Sequence, residues 1–442
     1  MNRRQMLTRT VALGVSVPFT MGLNEVNAAT SPKTIENTGG MVAKPLSGKA
    51  AKEMLAERRK ARRRTRRIIM NNDGNDTLVD TNLPISRELY LSRRMFGIIN
   101  THVDSVFYCT GVTNSYSHRS NVTERQTTRG RSYLNAYLES QDTDTLEIMV
   151  NFCKQYNKEI FWSMRMNDTH DSSVGAVMNK FKSENPYVMM GSKENPPPHI
   201  RNRWSAFDYG FPEVRQMVIN NIHDVVSRYD IDGVELDFFR HPHFFRGQFY
   251  NYDVTQEDCD KMTDMIRKIR AICDCEALLR GRPVLISIRV PDSFEFSKAI
   301  GLDWEQWLRE ELIDIVVGAD YLKFKLWSNL VEIGNKYNVP VYAGIEQRRM
   351  LPDNRFNDAE QDSSIELWRG ETHSAWSAGI NGIYTFNRFN PHDPLFNELG
   401  DPQLLAELPR HEGESITTEK SRGMFGPEYW LKGGNRFLES GM

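Results

Sequence analysis

The chain has 442 residues, of which 39% are hydrophobic and 26% are charged. This length is sufficient for one large barrel or for two smaller domains, each with a full hydrophobic core. The formal net charge is −2, so the composition gives no indication of a nucleic-acid partner.

The first 28 residues have the pattern of an export signal. Arg3 and Arg4 precede a short apolar run over residues 11–23, and residues 26–28 match a signal-peptidase cleavage pattern. Paired arginines in this position resemble a twin-arginine signal, which exports folded proteins. We therefore predict an exported protein, periplasmic or extracellular. The apolar run is too short for a comfortable membrane span, so we expect no stable membrane insertion. An ordinary secretory signal is the alternative.

The cysteines are odd in number and lack the spacing of a disulfide framework. We predict that they are free and mostly buried, which agrees with folding in a reducing cytoplasm before export. They are Cys109, Cys153, Cys259, Cys273 and Cys275.

Residues 29–65 are predicted to form a polar linker followed by a basic helix, in the stretch AKEMLAERRKARRRTRR. The basic run has no interleaved aromatic residues, so a solvated helix is favoured over a nucleic-acid site.

Short runs rich in β-branched and aromatic residues then alternate with helical segments. This alternation predicts an α/β fold, and eight such strands make a (β/α)8 TIM barrel, here over residues 66–408 with long βα loops. A short C-terminal extension over residues 409–442 is expected to pack on the outside of the barrel. The predicted strands cover residues 67–71, 105–110, 160–165, 232–238, 284–290, 313–319, 339–345 and 382–387.

One predicted strand, DGVELDF, carries carboxylates at alternate positions. Since strand side chains alternate, Glu235 and Asp237 share one face, whereas Val234 and Leu236 share the other. The apolar face must meet the helices, so both carboxylates point into the barrel. Asp237 is then nearest the C-terminal mouth, where barrel enzymes have their active sites. A charge in this position is costly unless it is paired, which favours a functional role.

The same alternation brings polar residues to the mouth end of almost every predicted strand. A ring of such residues indicates a ligand site, and no glycine-rich loop points to a phosphate or dinucleotide cofactor. The predicted substrate-binding residues are Asn71, Asp73, Arg165, Asn167, Asp168, His170, Glu235, Arg240, His241, Arg289, Arg348 and Asn387.

Two carboxylates that face each other across a polar cavity suit glycoside hydrolysis. One protonates the leaving oxygen, and the other attacks the anomeric carbon or activates water. Asp237 and Glu346 are predicted to lie on opposite sides of the mouth. Asp320 is a third catalytic candidate, and its alternative role is a helix cap.

The stretch DGVELDFFRHP resembles the DGI-x-x-D-x-x-RYP stretch of the glycosyl hydrolase-like family 10. The resemblance extends over most of residues 66–390 and implies an exported bacterial barrel protein in which Asp237 is a site residue. The sequence departs from the motif at His241, where the family often has tyrosine. Glu346 has no counterpart in the motif and depends on geometry alone.

Two other functions stay open. A metal-dependent barrel hydrolase would have His102, His170, His241 and His243 available, but no set of three converging ligands is recognisable, so no metal is predicted. A non-catalytic carbohydrate-binding barrel would share every feature except a reactive carboxylate pair.

Four arginines are expected inside the barrel or near its mouth. In one interpretation each pairs with an acid: Arg165 with Glu235, Arg240 with Asp168 or Asp171, and Arg289 with Asp292 or Asp320. In the other, one or two of Arg165, Arg240, Arg289 and Arg348 bind the carboxylate or sulfate group of an anionic polysaccharide, and Arg289 is the arginine predicted to do so.

Overall fold

The computed structural model describes residues 43–127, 129–173, 178–350 and 365–438. The predicted export signal and the first part of the predicted linker lie outside the described residues, and both stay predictions. Among the described residues, no helix is sufficiently long and apolar to cross a lipid bilayer.

In the described part of the chain, eight parallel strands close into one barrel in the order β1-β8-β7-β6-β5-β4-β3-β2. The predicted (β/α)8 fold is therefore confirmed, and each predicted strand overlaps an observed one. The barrel strands are β1 (Ile68–Asn72), β2 (Val103–Cys109), β3 (Glu159–Arg165), β4 (Gly233–Asp237), β5 (Leu285–Val290), β6 (Ile315–Gly318), β7 (Val341–Ile345) and β8 (Gly382–Thr385).

Helices alternate with the strands and surround the barrel. The longest described helix is α8 (Gln256–Arg280). Thr255 is its N-cap, and Gly281, whose φ of +69° suits glycine, is its C-cap. The described helices are α1 (Gly48–Ala61), α2 (Arg87–Ser92), α3 (Arg129–Ser140), α4 (Thr145–Gln155), α5 (Lys180–Glu184), α6 (Pro212–Arg228), α7 (Arg246–Tyr250), α8 (Gln256–Arg280), α9 (Phe294–Ala299), α10 (Trp304–Arg309), α11 (Trp327–Tyr337), α12 (Gln347–Met350), α13 (Ile365–Ala378), α14 (Pro402–Glu407) and α15 (Pro427–Trp430).

Above the buried Arg66–Glu159 pair at its base, the barrel interior changes from aromatic to charged towards the mouth. In the lower layer, the rings of Phe107 and Phe161 stack at 4.4 Å. Gly233 lies against the Phe161 ring. A Cβ atom at this position would come within 2.3 Å of that ring, so a glycine is needed here. Two residues further along β4, Glu235 is level with Ser287 of β5. The inward-facing side chains are therefore polar from the centre of the barrel to its mouth.

The basic helix α1 lies against the N-terminal end of the barrel. The arginines at every fourth position are buried: Arg58 in α1, and Arg62 and Arg66 in the segment that follows it. The basic stretch is therefore solvated on one side only. Arg58 pairs with Asp314 at 2.9 Å, and Arg66 pairs with Glu159 through two hydrogen bonds. The buried arginines attach this helix to the base of the barrel.

The C-terminal extension packs over the mouth end, which corrects the expectation that it covers the outside of the barrel. The backbone N–H of Thr417 donates to the carbonyl of Lys323, in the loop after β6. Phe425 packs edge-on against Tyr321 of the same loop, and the buried Trp430 lies 4.6 Å from the ring of His243. The extension therefore forms part of the wall around the mouth.

All five cysteines are free, and four of them are buried. This agrees with the predicted thiols. The partly exposed one is Cys275, on the outer helix α8.

Candidate functional site

Asp237 is the last residue of β4, at the mouth of the barrel, and both of its carboxylate oxygens accept hydrogen bonds. Arg289 of β5 donates from Nε to Oδ1 at 3.0 Å and from Nη2 to Oδ2 at 2.7 Å. The backbone N–H groups of Phe239 and Arg240 donate to Oδ1 at 3.0 and 2.9 Å. Asp237 is only 2% exposed. These contacts hold the carboxylate in a fixed orientation.

Asp320 shares the same guanidinium, through an ion pair with Arg289 Nη1. It follows β6 with a φ of +141°, a conformation that residues with a side chain rarely adopt. The next helix, α11, begins only at Trp327, so the helix-cap alternative for Asp320 is wrong. Arg289 therefore bridges two buried carboxylates from β4 and from the end of β6.

Glu346 follows β7 on the neighbouring part of the mouth. It accepts hydrogen bonds from the backbone N–H and the Nε of Arg348, at 2.7 and 2.8 Å. The side-chain amide of Asn387, after β8, donates to it at 3.3 Å. Glu346 itself is buried, whereas the side chain of Arg348 is 30% exposed. The partly exposed side chain of Arg348 thus lies between the buried Glu346 and the solvent.

Glu235 lies one layer below Asp237. The hydroxyl groups of Ser163 and Tyr384 donate to its Oε2, at 2.5 and 3.1 Å. Its Oε1 and the hydroxyl of Ser287 have no hydrogen-bond partner among the described residues. Burial, and then the negative charge of Asp237, raise the pKa of Glu235 to about 7. Glu235 is therefore an interior carboxyl group that can hold a proton near neutral pH.

The opposite wall of the mouth is built from β1 and β3. Arg165 pairs with Asp168 at 2.9 Å, not with Glu235 as one interpretation of the sequence had it. Arg94 pairs with Asp73 at 2.6 Å. Burial alone would raise the pKa of Asp73, but Arg94 and then Arg165 lower it below its ordinary value. This wall is an internally neutralised ion network.

Asp168, His170 and His241 place one ligand atom each within 4.8 Å of the others, which is a possible metal cluster. The two Nε2 atoms face N–H donors, however, whereas Nδ1 of His170 lies 2.7 Å from Asp168 Oδ1. Arg240 Nη2 lies 3.2 Å from His170 Nε2, and Arg203 Nη1 lies 3.0 Å from His241 Nε2. A cation would have to displace two guanidinium groups from these nitrogens.

The other two candidate histidines lie elsewhere. His102 precedes β2 at the N-terminal end of the barrel, where its backbone N–H donates to Phe396. His243 is fully buried beneath Trp430. The four histidines considered from the sequence do not converge on one point.

Asn167 has a scaffolding position within the mouth. Its amide donates to the carbonyl groups of Phe207 and His243, at 3.0 and 2.6 Å, and accepts from the N–H of Phe207. These bonds tie the loop after β3 to the loop after β4. Asn71, by contrast, is buried with a side-chain oxygen that has no partner among the described residues.

Several residues at the site were not predicted. Tyr384 donates to Glu235, Phe386 covers the Arg289 guanidinium at 4.2 Å, and Tyr321 contacts Arg240. The β8 stretch GIYTFNR contains two of these aromatic residues, but its inward phase is ambiguous in the sequence because apolar and polar residues do not alternate cleanly. Tyr321 lies in a loop, where no periodicity exists.

The sequence profile of the family described as Glycosyl hydrolase-like 10 matches residues 118–329. The matched segment contains Asp237, Arg289 and Asp320, and ends before Glu346. The protein is a (β/α)8 barrel, and just under half of the chain is similar to the glycosyl hydrolase-like 10 family. A comparison with curated proteins finds no match to this sequence.

Among solved structures, the barrel is similar to α-L-fucosidase isoenzyme 2 from Paenibacillus thiaminolyticus, with a TM-score of 0.46 and 12% identity over 78% of this chain and 49% of that one. It is also similar to the PgaB (BpsB) glycoside hydrolase domain from Bordetella bronchiseptica, with a TM-score of 0.48 and 8% identity over 76% and 98% of the two chains. The similarity to the GH36 α-galactosidase AgaA from Geobacillus stearothermophilus has a TM-score of 0.43, with 12% identity over 78% and 42%. The described chain thus spans about half of the fucosidase's length.

Proposed function

We propose that this protein is a glycoside hydrolase that acts on a polysaccharide or oligosaccharide, with Asp237 as the carboxylate that attacks the anomeric carbon or activates water. The observation that supports this most is the buried Asp237–Arg289–Asp320 cluster at the mouth. Two carboxylates that share one guanidinium in a buried position are costly, and apolar residues of similar volume would commonly be as stable. A reaction at the mouth gives the cluster a function.

Glu346 is the proposed proton donor to the leaving oxygen, and Asp320 is the alternative. Glu346 is connected to the solvent side of the mouth through Arg348 and Asn387. Asp320 has no exposed surface and is bound to Arg289. A substrate oxygen therefore has a shorter route to Glu346, once the Arg348 side chain moves aside.

Arg240 is the arginine that we propose for an anionic group on the substrate. Its guanidinium contacts the hydroxyl of Tyr321 and the imidazole of His170, and not Asp168 or Asp171 as one interpretation of the sequence had it. Arg289 is unsuited to this role because it is fully buried between Asp237 and Asp320. Guanidinium geometry matches carboxylate and sulfate oxygens, so a uronic-acid or sulfated glycan would fit.

A hydrolysis screen of neutral, uronic-acid and sulfated polysaccharides tests the proposal. New reducing ends are the expected result with at least one glycan. Measurable glycan binding without turnover would instead establish a non-catalytic carbohydrate-binding barrel.

The proton donor is identified with two forms of the same substrate. Loss of a general acid matters for a poor leaving group and matters little for an activated aryl leaving group, which departs without protonation. We expect Glu346→Gln to lower turnover of the natural glycan by about 10²–10⁴-fold and to spare the aryl glycoside. If Asp320→Asn shows this pattern and Glu346→Gln does not, the roles are reversed.

A further inference from the structure

A second concave site lies at the N-terminal end of the barrel, opposite the mouth. This cavity of about 370 Å³ is bounded by the segment after α1, by the C-terminal end of α11 and by the residues that lead into β7 and β8. Its volume is within the range of small-molecule sites. The carboxylates of the proposed active site do not line it.

The charge of this cavity is one-sided. Three consecutive arginines, Arg62, Arg63 and Arg64, contribute to its lining. No aspartate or glutamate is among the described residues that line it. Elsewhere at this end of the barrel, arginines have acid partners, as Arg58 has in Asp314 and Arg66 has in Glu159. Arg63 and Arg64, by contrast, donate to neutral acceptors: the side-chain oxygen of Asn338 at 3.5 Å and the carbonyl of Asn157 at 3.3 Å. The cavity lining therefore contains three arginines and no acid among the described residues.

Arg62 is the buried arginine of the cavity wall. Its side chain is buried, yet its Nε has no hydrogen-bond partner among the described residues. The same guanidinium donates from Nη2 to the carbonyl of Asn338, at the end of α11. Capping of that helix terminus explains one donor of Arg62 and leaves the Nε unexplained.

Amide side chains complete the lining, from Asn335, Asn338 and Asn381. Asn381 accepts a hydrogen bond from the backbone of Val341, which leaves its NH2 group directed to other partners. Amide groups both donate to and accept from hydroxyl groups. Guanidinium groups beside amides suit a ligand that has an anionic group and hydroxyl groups together.

We propose that this cavity binds a small hydroxylated anion, such as a sugar phosphate or a sugar acid, with Arg62, Arg63 and Arg64 around the phosphate or carboxylate. The site is separate from the barrel mouth and does not depend on the proposed glycosidase activity. Arginine forks bind phosphate and carboxylate with paired, charge-assisted hydrogen bonds.

The test uses the exposed arginines, because replacement of the buried Arg62 risks detaching α1 from the barrel. Binding of glucose 6-phosphate, glucuronate and neutral glucose is measured by calorimetry at constant ionic strength. The Arg63→Gln/Arg64→Gln double variant removes two charges from the lining. The control is Arg59→Gln/Lys60→Gln, which removes two charges from the neighbouring exposed positions outside the cavity.

Saturable binding of at least one of the two anions, weaker by about tenfold or more in the lining variant and unchanged in the control, is the expected result. The proposal is overturned if neither anion binds, if glucose binds equally well, or if both double variants weaken binding to the same extent. Turnover of any substrate at the mouth should be the same in both double variants.

Discussion

At the barrel mouth, the single guanidinium of Arg289 compensates two carboxylates, Asp237 and Asp320, in a position without solvent. Phe386 covers its face at 4.2 Å, so water does not replace a lost contact. Removal of this arginine would leave both acids buried and unpaired. The stability of the mouth and the orientation of Asp237 thus depend on the same side chain.

The change Arg289→Met should therefore destabilise the fold by about 3–5 kcal/mol, the usual cost of breaking a buried pair from one side. Urea denaturation at neutral pH measures it. Arg67→Met is the matched control, because Arg67 makes an equally bidentate pair with Asp104 on a partly exposed rim. The control should lose no more than about 1 kcal/mol. Similar small losses in both variants would show that the buried cluster has little effect on stability.

Glu235 makes the free energy of unfolding depend on pH. Burial raises its pKa from an ordinary value of 4.5 to about 7, so the folded state holds a proton there that the unfolded chain has released. The stabilisation by this proton is complete below pH 4.5, decreases as the pH rises, and is lost above about pH 7. The shift corresponds to roughly 3 kcal/mol.

Glu235→Gln removes this titration while it keeps the size of the side chain. Relative to the variant, the wild-type protein should lose roughly 3 kcal/mol of unfolding free energy between pH 4.5 and pH 8. Chemical denaturation of both proteins at several pH values gives the difference. Parallel stability profiles across this range would mean that Glu235 is ionised throughout.

At the scale of elements, the C-terminal extension is the part that completes the mouth without belonging to the β/α repeat. It is attached through Trp430, which packs on His243, and through Glu414 and Ser415, which contact Lys323 and Arg349. The carbonyl of Trp430 also accepts a hydrogen bond from Gln248 of α7. The extension therefore depends on a few local contacts that can open independently of the barrel.

Trp430→Ala should release the extension more than the barrel. Loss of a buried tryptophan costs about 3–5 kcal/mol. Hydrogen exchange should accordingly become faster in residues 409–438, whereas the amides of β4 and β5 stay protected. The buried Trp304, on α10 outside the extension, provides the control variant Trp304→Ala. Equal loss of protection across the whole chain in the Trp430 variant would show that the extension and the barrel unfold as one unit.

At the scale of the whole molecule, the alternation of strands and helices predicted the barrel correctly. The strand DGVELDF also gave the inward direction of Glu235 and Asp237, because its apolar residues can only face the helices. Partners across the barrel were harder to predict. Arg165 was expected beside Glu235, but the sequence contains no information on side-chain reach, and the nearer Asp168 pairs with it.

The extension and the aromatic residues around the mouth lie in segments without clear periodicity. For this reason the extension was expected on the wrong side of the barrel, and the aromatic residues were not predicted. The burial of Arg58 in α1, and of Arg62 and Arg66 just after it, was also not predicted. A spacing of four residues is visible in the sequence, but a basic helix commonly faces solvent, and only the acids at the base of the barrel, such as Glu159 and Asp314, make burial favourable.

The measurement that tests the account most directly is the turnover of Asp237→Asn on a glycan that the wild-type protein hydrolyses. We predict a loss of about 10²–10⁴-fold with an unchanged fold by circular dichroism, because asparagine can occupy the same space but cannot attack or act as a base. Asp104→Asn, at the opposite end of the barrel, replaces an aspartate with a similar bidentate arginine and should keep full activity. Near-normal turnover by Asp237→Asn would contradict the proposed role of the cluster.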